Sequence, residues 1–561
     1  MNDAFVKIKE IEFNSGDIFH FNDDDIVVFV GANNVGKSRT LKEIRREMIK
    51  NYHYNDKKIL IQKVLFKDNF TKDNLIDFYS KNYNKDPYDN YNVSIEGLNY
   101  TTVTPNMYQK GINDDAFYIG FSSFLSTEDR LTITKPIHYN NSNDLYITNI
   151  SETLKKSENH IKKLNDFMNA SFKKSVDVYG NIQDGFYVQS YKIGSKDIID
   201  KTISSNSRES NNILQNLENL NEQGDGIRSA FAILSSLIVN NHSIFFIDEP
   251  EAFLHPPQAR LLGNEIVNLS EGKQCFISTH NIDLIRGIIE TKSKRIKIIK
   301  INREENINKF HLLDNDSIFS ISNDKNLKYS NILNGLFYRK IVLCEDESDC
   351  KLYSTVLESL DSDLYQNTLF CAVGGKDQFK IVLPLLKKLN IDYSIIADID
   401  LINDKDKLKQ LVNSISLGDY DKIKKAHSIF LDSYNDHIDD LIKTQDKIKQ
   451  DVLECFNEEK YMSESQIRKI RDVLKNISRF KILKSGGESS LPAGECSINY
   501  FKVKEFLNER NIYILPCGEI ERFCLEIDAH GDSFVNELFI KYSDINDAHY
   551  DNIRLFLKTI F

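Results

Sequence analysis

A chain of 561 residues carrying 72 Lys and Arg against 83 Asp and Glu has a formal net charge of −11, which argues against one small domain and against a chain built chiefly as a basic nucleic-acid clamp. No apolar run approaches the length needed to cross a bilayer, and the opening MNDAFVKIKE lacks the apolar core of a signal peptide, so a cytoplasmic protein of two to four domains is expected. Cys275, Cys344, Cys350, Cys371, Cys455, Cys496, Cys517 and Cys524 form no C-x-x-C pair and no zinc-like spacing with His, and they read as reduced thiols.

The first predicted elements are an apolar strand, IVVFV (26–30), a glycine-rich turn and a helix starting near Lys37. The turn, GANNVGKS (31–38), matches G-x-x-x-x-G-K-[ST] in the strand-to-helix context that this pattern requires. Gly31 and Gly36 let backbone N–H groups face phosphate oxygens at a helix N-terminus. Lys37 would reach the β and γ phosphates, and Ser38 would ligate Mg²⁺. The candidate nucleotide-binding set is Gly31, Asn33, Asn34, Gly36, Lys37, Ser38 and Arg39.

Over about 140–222, Leu154, Ile161, Leu164, Met168 and Phe172 recur at helical spacing among Lys, Asn and Ser, which predicts a helical insertion. From 243 to 301 an α/β pattern returns in the runs SIFFI, QCFIS and RIKIIKI. The first of these ends in Asp248, placed to hold Mg²⁺, and Glu249, placed to orient or deprotonate water. His280 follows the second, where an imidazole could sense a γ phosphate; a structural hydrogen-bonding role is equally open.

The polar stretch 312–331 predicts a domain boundary. A second α/β series follows, with IVLCE, LFCAV and YSIIAD as strands and helices predicted over about 403–480 from the near-heptad rhythm of Tyr434, Ile438, Leu441, Ile448 and Val452. In CEDESD, Glu345 stands at a strand end with Asp349 four residues on. In ADID, Asp398 and Asp400 are two apart, the spacing that puts strand side chains on one side. Four carboxylates sharing a small volume would repel one another unless a hard divalent cation such as Mg²⁺ or Mn²⁺ neutralised them.

The N-terminal elements resemble the ATP-binding-cassette ATPases of the SMC and RecF kind. In that family GANNVGKS corresponds to Walker A, FFIDEP to Walker B with its catalytic Glu249, and STHN to the histidine switch. The resemblance places NEQGDGIRSA (221–230), with Gly224 and Gly226, at the signature motif that contacts ATP held by another subunit, although it departs from LSGGQ. A homodimer or larger even assembly is therefore implied, and Gln109 is a candidate for the Q-loop.

Glu-x-x-x-Asp followed by Asp-x-Asp, with VGGKD (373–377) between, resembles the TOPRIM domain of topoisomerases, primases and OLD (overcoming lysogenization defect) nucleases. Asp346 here replaces the usual Gly. ILKSGGESS (482–490) and IYILPCGEIERF (512–523) resemble later stretches of OLD nucleases. That likeness implies Lys484 as a cation for the phosphate in flight and Glu521, ahead of Glu519, as a further metal ligand.

The expected fold is α/β: an ABC-type ATPase (1–139 and 223–320) interrupted by a helical insertion (140–222), then a TOPRIM domain (332–561) with its own helical insertion. The resemblance implies an ATP-binding, Mg²⁺- or Mn²⁺-dependent DNA endonuclease in antiphage defence, with DNA and a retron reverse transcriptase or a helicase as partners. A non-catalytic ATP-driven clamp and a topoisomerase-like enzyme are the alternatives.

Overall fold

The computed structural model describes residues 3–48, 59–83, 91–95, 98–103, 116–139, 150–183, 186–204, 207–304, 307–313, 331–439, 445–456, 462–475 and 479–561. Gln109 and Leu441 lie outside the described residues, as does most of the stretch 312–331. The chain divides into two units, Met1–Phe337 and Tyr338–Phe561, so the short helix Asn331–Phe337, expected to open the second domain, belongs to the first.

The first unit opens with β1 (Val6–Phe13) and β2 (Ile18–His20), passes through β3 (Ile26–Val30) and α1 (Lys37–Arg46), and returns in β4 (Ile61–Asp68). Strands β1, β2 and β4 form an antiparallel sheet in the order β2-β1-β4. Strand β3 is different in kind. All five of its residues are fully buried, as an unbroken apolar run must be when both faces of a parallel sheet are covered.

Next come β5 (Ser122–Leu125) and α2 (Thr127–Ile133), the latter capped by reciprocal hydrogen bonds between Ser126 and Asp129. Residues 150–222 contain helix α3 (Glu158–Phe172), in which Ile161, Leu164 and Met168 are buried as their spacing predicts. They also contain an antiparallel hairpin, β6 (Ser175–Gln183) and β7 (Phe186–Gly194), so the insertion is mixed and not purely helical. The reason is a second period: Val176 and Val178 turn inward on alternate residues of β6. Asn165 of α3 joins the two patterns, its Nδ2 donating to the Val176 carbonyl at 2.9 Å and its Oδ1 accepting from the Val176 N–H at 2.7 Å.

Later elements of this unit include α4 (Asp225–Val239), β8 (Ile244–Asp248), β9 (Gln274–Ser278), β10 (Ile296–Glu304) and β11 (Ile307–Leu313). The central sheet has the order β11-β10-β3-β9-β8-β5. All neighbours are parallel except the β10–β11 hairpin. Its strand ends therefore gather Gly31, Asp248 and Ser278 along one edge, the edge where parallel sheets place ligands.

The second unit begins with β12 (Lys340–Cys344), α5 (Glu347–Leu360), β13 (Thr368–Ala372), α6 (Phe379–Lys388) and β14 (Asp392–Ala397). Helices occupy most of the described residues from 400 to 475. Tyr434 is buried and stacks on Phe430, which meets Tyr500 at a ring separation of 5.6 Å. Helices α7 (Arg479–Gly486) and α8 (Glu495–Asn508) then lead to β15 (Ile512–Ile514). These four strands form a wholly parallel sheet in the order β13-β12-β14-β15.

Among the described residues no helix is long and apolar enough to cross a membrane. None of the eight cysteines is paired. Replacing Asn165 by Ala leaves the Val176 amide and carbonyl buried without partners, so Asn165→Ala is expected to lower stability by about 1–3 kcal/mol. Urea unfolding followed by circular dichroism measures it, and an unchanged midpoint would remove Asn165 as the link between helix and hairpin.

Candidate nucleotide and metal sites

The loop between β3 and α1 is shaped by two glycines. A Cβ on Gly31 would lie 2.4 Å from the Ile301 carbonyl oxygen, and Gly36 has φ +92° immediately before the helix. The Lys37 ammonium turns back across this loop, donating to the Gly31 and Ala32 carbonyls at 3.0 and 2.9 Å. Burial lowers its pKa, and the nearby Glu249, Glu251 and Asp248 carboxylates work in the opposite direction. Asn33 and Asn34 are exposed and Ser38 is half-buried in the first turn. Arg39 instead reaches along its own helix to Glu43 at 2.7 Å. Glu43, buried, also accepts the N–H groups of Leu60 and Ile61.

At the end of β8 the Ser278 hydroxyl donates to Asp248, and Glu249 follows in a left-handed conformation with φ +47°. The Glu249 N–H donates to the Ser278 carbonyl at 3.0 Å. His280 Nδ1 stands 3.3 Å from Glu249 and 3.6 Å from Glu251. Glu251, visible in DEPEAF but absent from the predicted set, joins this site. It is 4 % exposed and accepts from the Thr279 hydroxyl at 2.7 Å and the His280 N–H at 3.1 Å. Burial raises its pKa, and those hydrogen bonds oppose the rise. Arg130, also unforeseen, is fully buried and donates to the Asp248 and Glu249 carbonyls; burial lowers its pKa to about 10. Gly224 precedes α4 in open space, whereas a Cβ on Gly226 would lie 2.5 Å from the Phe253 carbonyl oxygen.

In the second unit Glu345, Asp398 and Asp400 each offer a carboxylate oxygen, and these oxygens all lie within 4.8 Å of one another. The convergence does not arise from strand alternation as expected. Strand β14 ends at Ala397, Ile399 is already helical, and Asp400 opens the short helix Asp400–Asn403. Asp349 is not part of this set. It lies in the first turn of α5, where Asp346 is the cap: Asp346 Oδ1 accepts the Ser348 and Asp349 N–H groups, and Asp349 accepts the Asp346 N–H at 3.2 Å. Asp346 is extended, φ −140°, so its place in the turn makes no demand for glycine.

The glycine turn serves Glu345 through backbone: the Gly374 and Gly375 N–H groups donate to the Glu345 carbonyl at 3.0 and 2.9 Å. The same turn delivers Lys376, absent from the predicted set, into an ion pair with Asp400. Lys484 Nζ lies 2.6 Å from Asp398 and 3.7 Å from Glu519. Glu519 thus shares a lysine with Asp398. Glu521 accepts the Gly531 N–H at 2.8 Å and acts on Asp349 through its charge. Gly518, φ +101°, allows this assembly, since a Cβ there would lie 2.0 Å from the Lys484 carbonyl oxygen.

Burial, then neighbouring carboxylates, pushes Asp349 up to about 7. Burial also raises Asp398, with Glu345 adding to the rise, and raises Glu345 itself. For Lys484, burial opposes the charge but the ion pair with Asp398 outweighs it, and the pKa rises. A clustered oxygen-only donor set suits a hard divalent cation.

Residues 26–286 match the family model described as "AAA domain, putative AbiEii toxin, Type IV TA system", and residues 336–400 match "Overcoming lysogenization defect protein-like, TOPRIM domain". The two matches set an AAA domain ahead of an OLD-like TOPRIM domain. The chain is 24 % identical to the Old nuclease of Escherichia phage P2 over 172 residues, 29 % of this chain and 28 % of that protein. It is 26 % identical to endonuclease GajA of Bacillus cereus (strain VD045) over 191 residues, 33 % of this chain and 32 % of that protein. The matches thus span about a third or less of either relative. A solved SMC head domain from Thermotoga maritima is 10 % identical, covering 55 % of this chain and 98 % of its own, with a TM-score of 0.28.

A carboxyl whose folded pKa is raised stabilises the fold most at low pH and loses that contribution as pH climbs through the folded value. For Asp349, between 3.8 and about 7, the loss is on the order of 4 kcal/mol. In EDTA the melting temperature is expected to fall from pH 5 to pH 7.5, less steeply in Asp349→Asn, and Mg²⁺ should oppose the fall by binding the ionised cluster. A melting temperature that rises equally with pH in both proteins would contradict this.

Proposed function

We propose that this protein is a cytoplasmic, ATP-binding, divalent-metal-dependent DNA endonuclease serving in antiphage defence, with cleavage controlled by its ATPase domain. The observation that carries the reading is the meeting of Glu345, Asp398 and Asp400 within 4.8 Å beside the cationic Lys484. Glu345, Asp398 and Asp400 would hold Mg²⁺ or Mn²⁺, with Asp349 and Glu521 beside them as further candidates. Such an ion, when bound, polarises the phosphodiester and lowers the pKa of water.

The chain's own groups supply the rest. Lys484 offers positive charge to a phosphate whose charge grows during attack, and its pairing with Asp398 fixes its position. Against the burial that opposes its charge, Asp398, Asp400 and Glu519 keep Lys484 protonated. In the ATPase domain Lys37 meets the phosphates, Ser38 and Asp248 lie where Mg²⁺ accompanies ATP, Glu249 receives or orients the attacking water, and His280 lies against Glu249.

ATP regulates cutting if it binds two arrangements of the assembly with different affinity. A second copy of this chain, held through the stretch that contains Gly224 and Gly226, is the proposed homotypic partner. DNA is the proposed substrate, and a helicase or a retron reverse transcriptase the proposed accessory protein.

With Mg²⁺ or Mn²⁺ the purified protein is expected to nick or cut DNA, and Glu345→Ala or Asp398→Ala to reduce the rate at least a hundredfold at unchanged melting temperature. Lys37→Ala and Glu249→Gln are expected to abolish ATP turnover. Gel assays on supercoiled, linear and single-stranded DNA, with and without ATP or EDTA, read the first; phosphate release reads the second. Cleavage surviving both carboxylate substitutions would leave an ATP-driven DNA-binding protein in place of a nuclease.

A further inference from the structure

Glu249 occupies a left-handed conformation that its side chain makes unfavourable. Something must hold it there, and the fully buried guanidinium of Arg130 is placed to do so. Its Nη1 donates to the Leu125 carbonyl at 2.9 Å and to the Asp248 carbonyl; its Nη2 donates to the Glu249 carbonyl at 3.1 Å and the Thr127 hydroxyl at 3.2 Å. The Asp248 and Glu249 carbonyls belong to the two peptide planes that flank the Glu249 Cα. Fixing both planes fixes the direction in which the Glu249 side chain leaves the backbone. A planar fork of donors holds both carbonyls while also reaching Leu125 and Thr127; a lysine ammonium, with three donors on one atom, can meet only part of this set, and a methionine none of it.

Arg130 lies on α2, and the far end of that helix is gripped from α4. Arg228 donates from Nη2 to the Leu131 carbonyl at 2.9 Å and from Nε to the Thr134 hydroxyl at 3.1 Å. Its Nη1 pairs with Asp225 at 2.9 Å, in the first turn of α4. Gly226, in that same turn, approaches the Phe253 carbonyl so closely that a Cβ would fall 2.5 Å from the oxygen. The turn that carries Gly226 thus touches the segment after β8 directly and reaches Glu249 a second time through α2.

We propose that Arg130 is a positioning residue for nucleotide hydrolysis, aiming Glu249 through its backbone, and that Arg228 and α2 transmit shifts of the stretch 224–226 to that carboxylate. The inference rests on the reading of this domain as an ATPase. In the step concerned, a water oxygen bonds to the γ phosphorus and the bond to the β–γ bridging oxygen breaks. The electron pair leaves on ADP, and the water proton passes to Glu249.

The test uses the purified full chain with Mg²⁺ and ATP, in wild-type, Arg130→Met, Arg130→Lys, Arg228→Ala and Lys37→Ala forms. Steady-state phosphate release gives kcat and KM, a fluorescent ATP analogue gives nucleotide affinity, and thermal melting reports folding. Arg130→Met is expected to lower kcat at least tenfold with KM and nucleotide affinity within threefold, and Arg130→Lys to recover part of the loss. Arg228→Ala, which removes hydrogen bonds to Leu131, Thr134 and Asp225, is expected to lower kcat at least threefold at constant KM.

A kcat within twofold of wild type in Arg130→Met overturns the positioning role alone, as does a loss matched by equal weakening of nucleotide binding. Should Arg130→Met fail to fold, Arg228→Ala decides, and an unchanged kcat there overturns the proposal. Wild-type protein that binds ATP without turning it over, at the level of Lys37→Ala, overturns the ATPase reading and the positioning role together.

Discussion

Both units are organised by one constraint: a parallel strand covered on two faces has no place for an unpaired charged side chain. Strand β3 is wholly buried, and so are Ile341, Val342, Leu343 and Cys344 of β12. Polar chemistry is thereby displaced to the residue that follows each strand, where the backbone turns and side chains leave the apolar layers. Gly31, Glu249, Glu345 and Asp398 all stand at such exits. The two sites share this origin despite their different chemistry.

Displacement concentrates charge, and the structure answers with cations drawn from distant sequence. Lys484 meets Asp398 and Lys376 meets Asp400. In the first unit Arg130 does the corresponding work through carbonyl oxygens, leaving the Asp248 and Glu249 carboxylates for other partners. An ion pair in such surroundings contributes little net stability once desolvation is counted. Its value here is placement: each cation fixes one carboxylate in a cluster that would otherwise spread apart.

The parts of this arrangement that were legible in the sequence are those written in consecutive residues. The phosphate loop, the Asp248–Glu249 pair and the strand end at Glu345 depend on local order, and a dozen neighbouring letters suffice to read them. Arg130, Glu251 and Lys376 were missed because each is an ordinary charged residue until the sheet brings it beside a carboxylate. The β6–β7 hairpin was hidden by its flanks, since α3 has a clear helical period and the Lys- and Asn-rich surroundings look alike in helix and strand. Glu519 and Glu521 cannot be ranked by spacing. Only the turn at Gly518 directs the first toward Lys484 and the second toward Gly531.

The Ile399 N–H donates to the Gly518 carbonyl at 3.1 Å and the Leu515 N–H to the Ala397 carbonyl at 3.0 Å, stitching β14 to β15 without help from the helices between them. Closing a longer connection costs only slightly more than closing a short one. The part of that excursion between the helix opening at Asp400 and α7, which carries Lys484, is therefore free to lengthen, shrink or be exchanged among descendants while the carboxylate cluster keeps its members. Selection can rewrite whatever that part touches without disturbing the cluster.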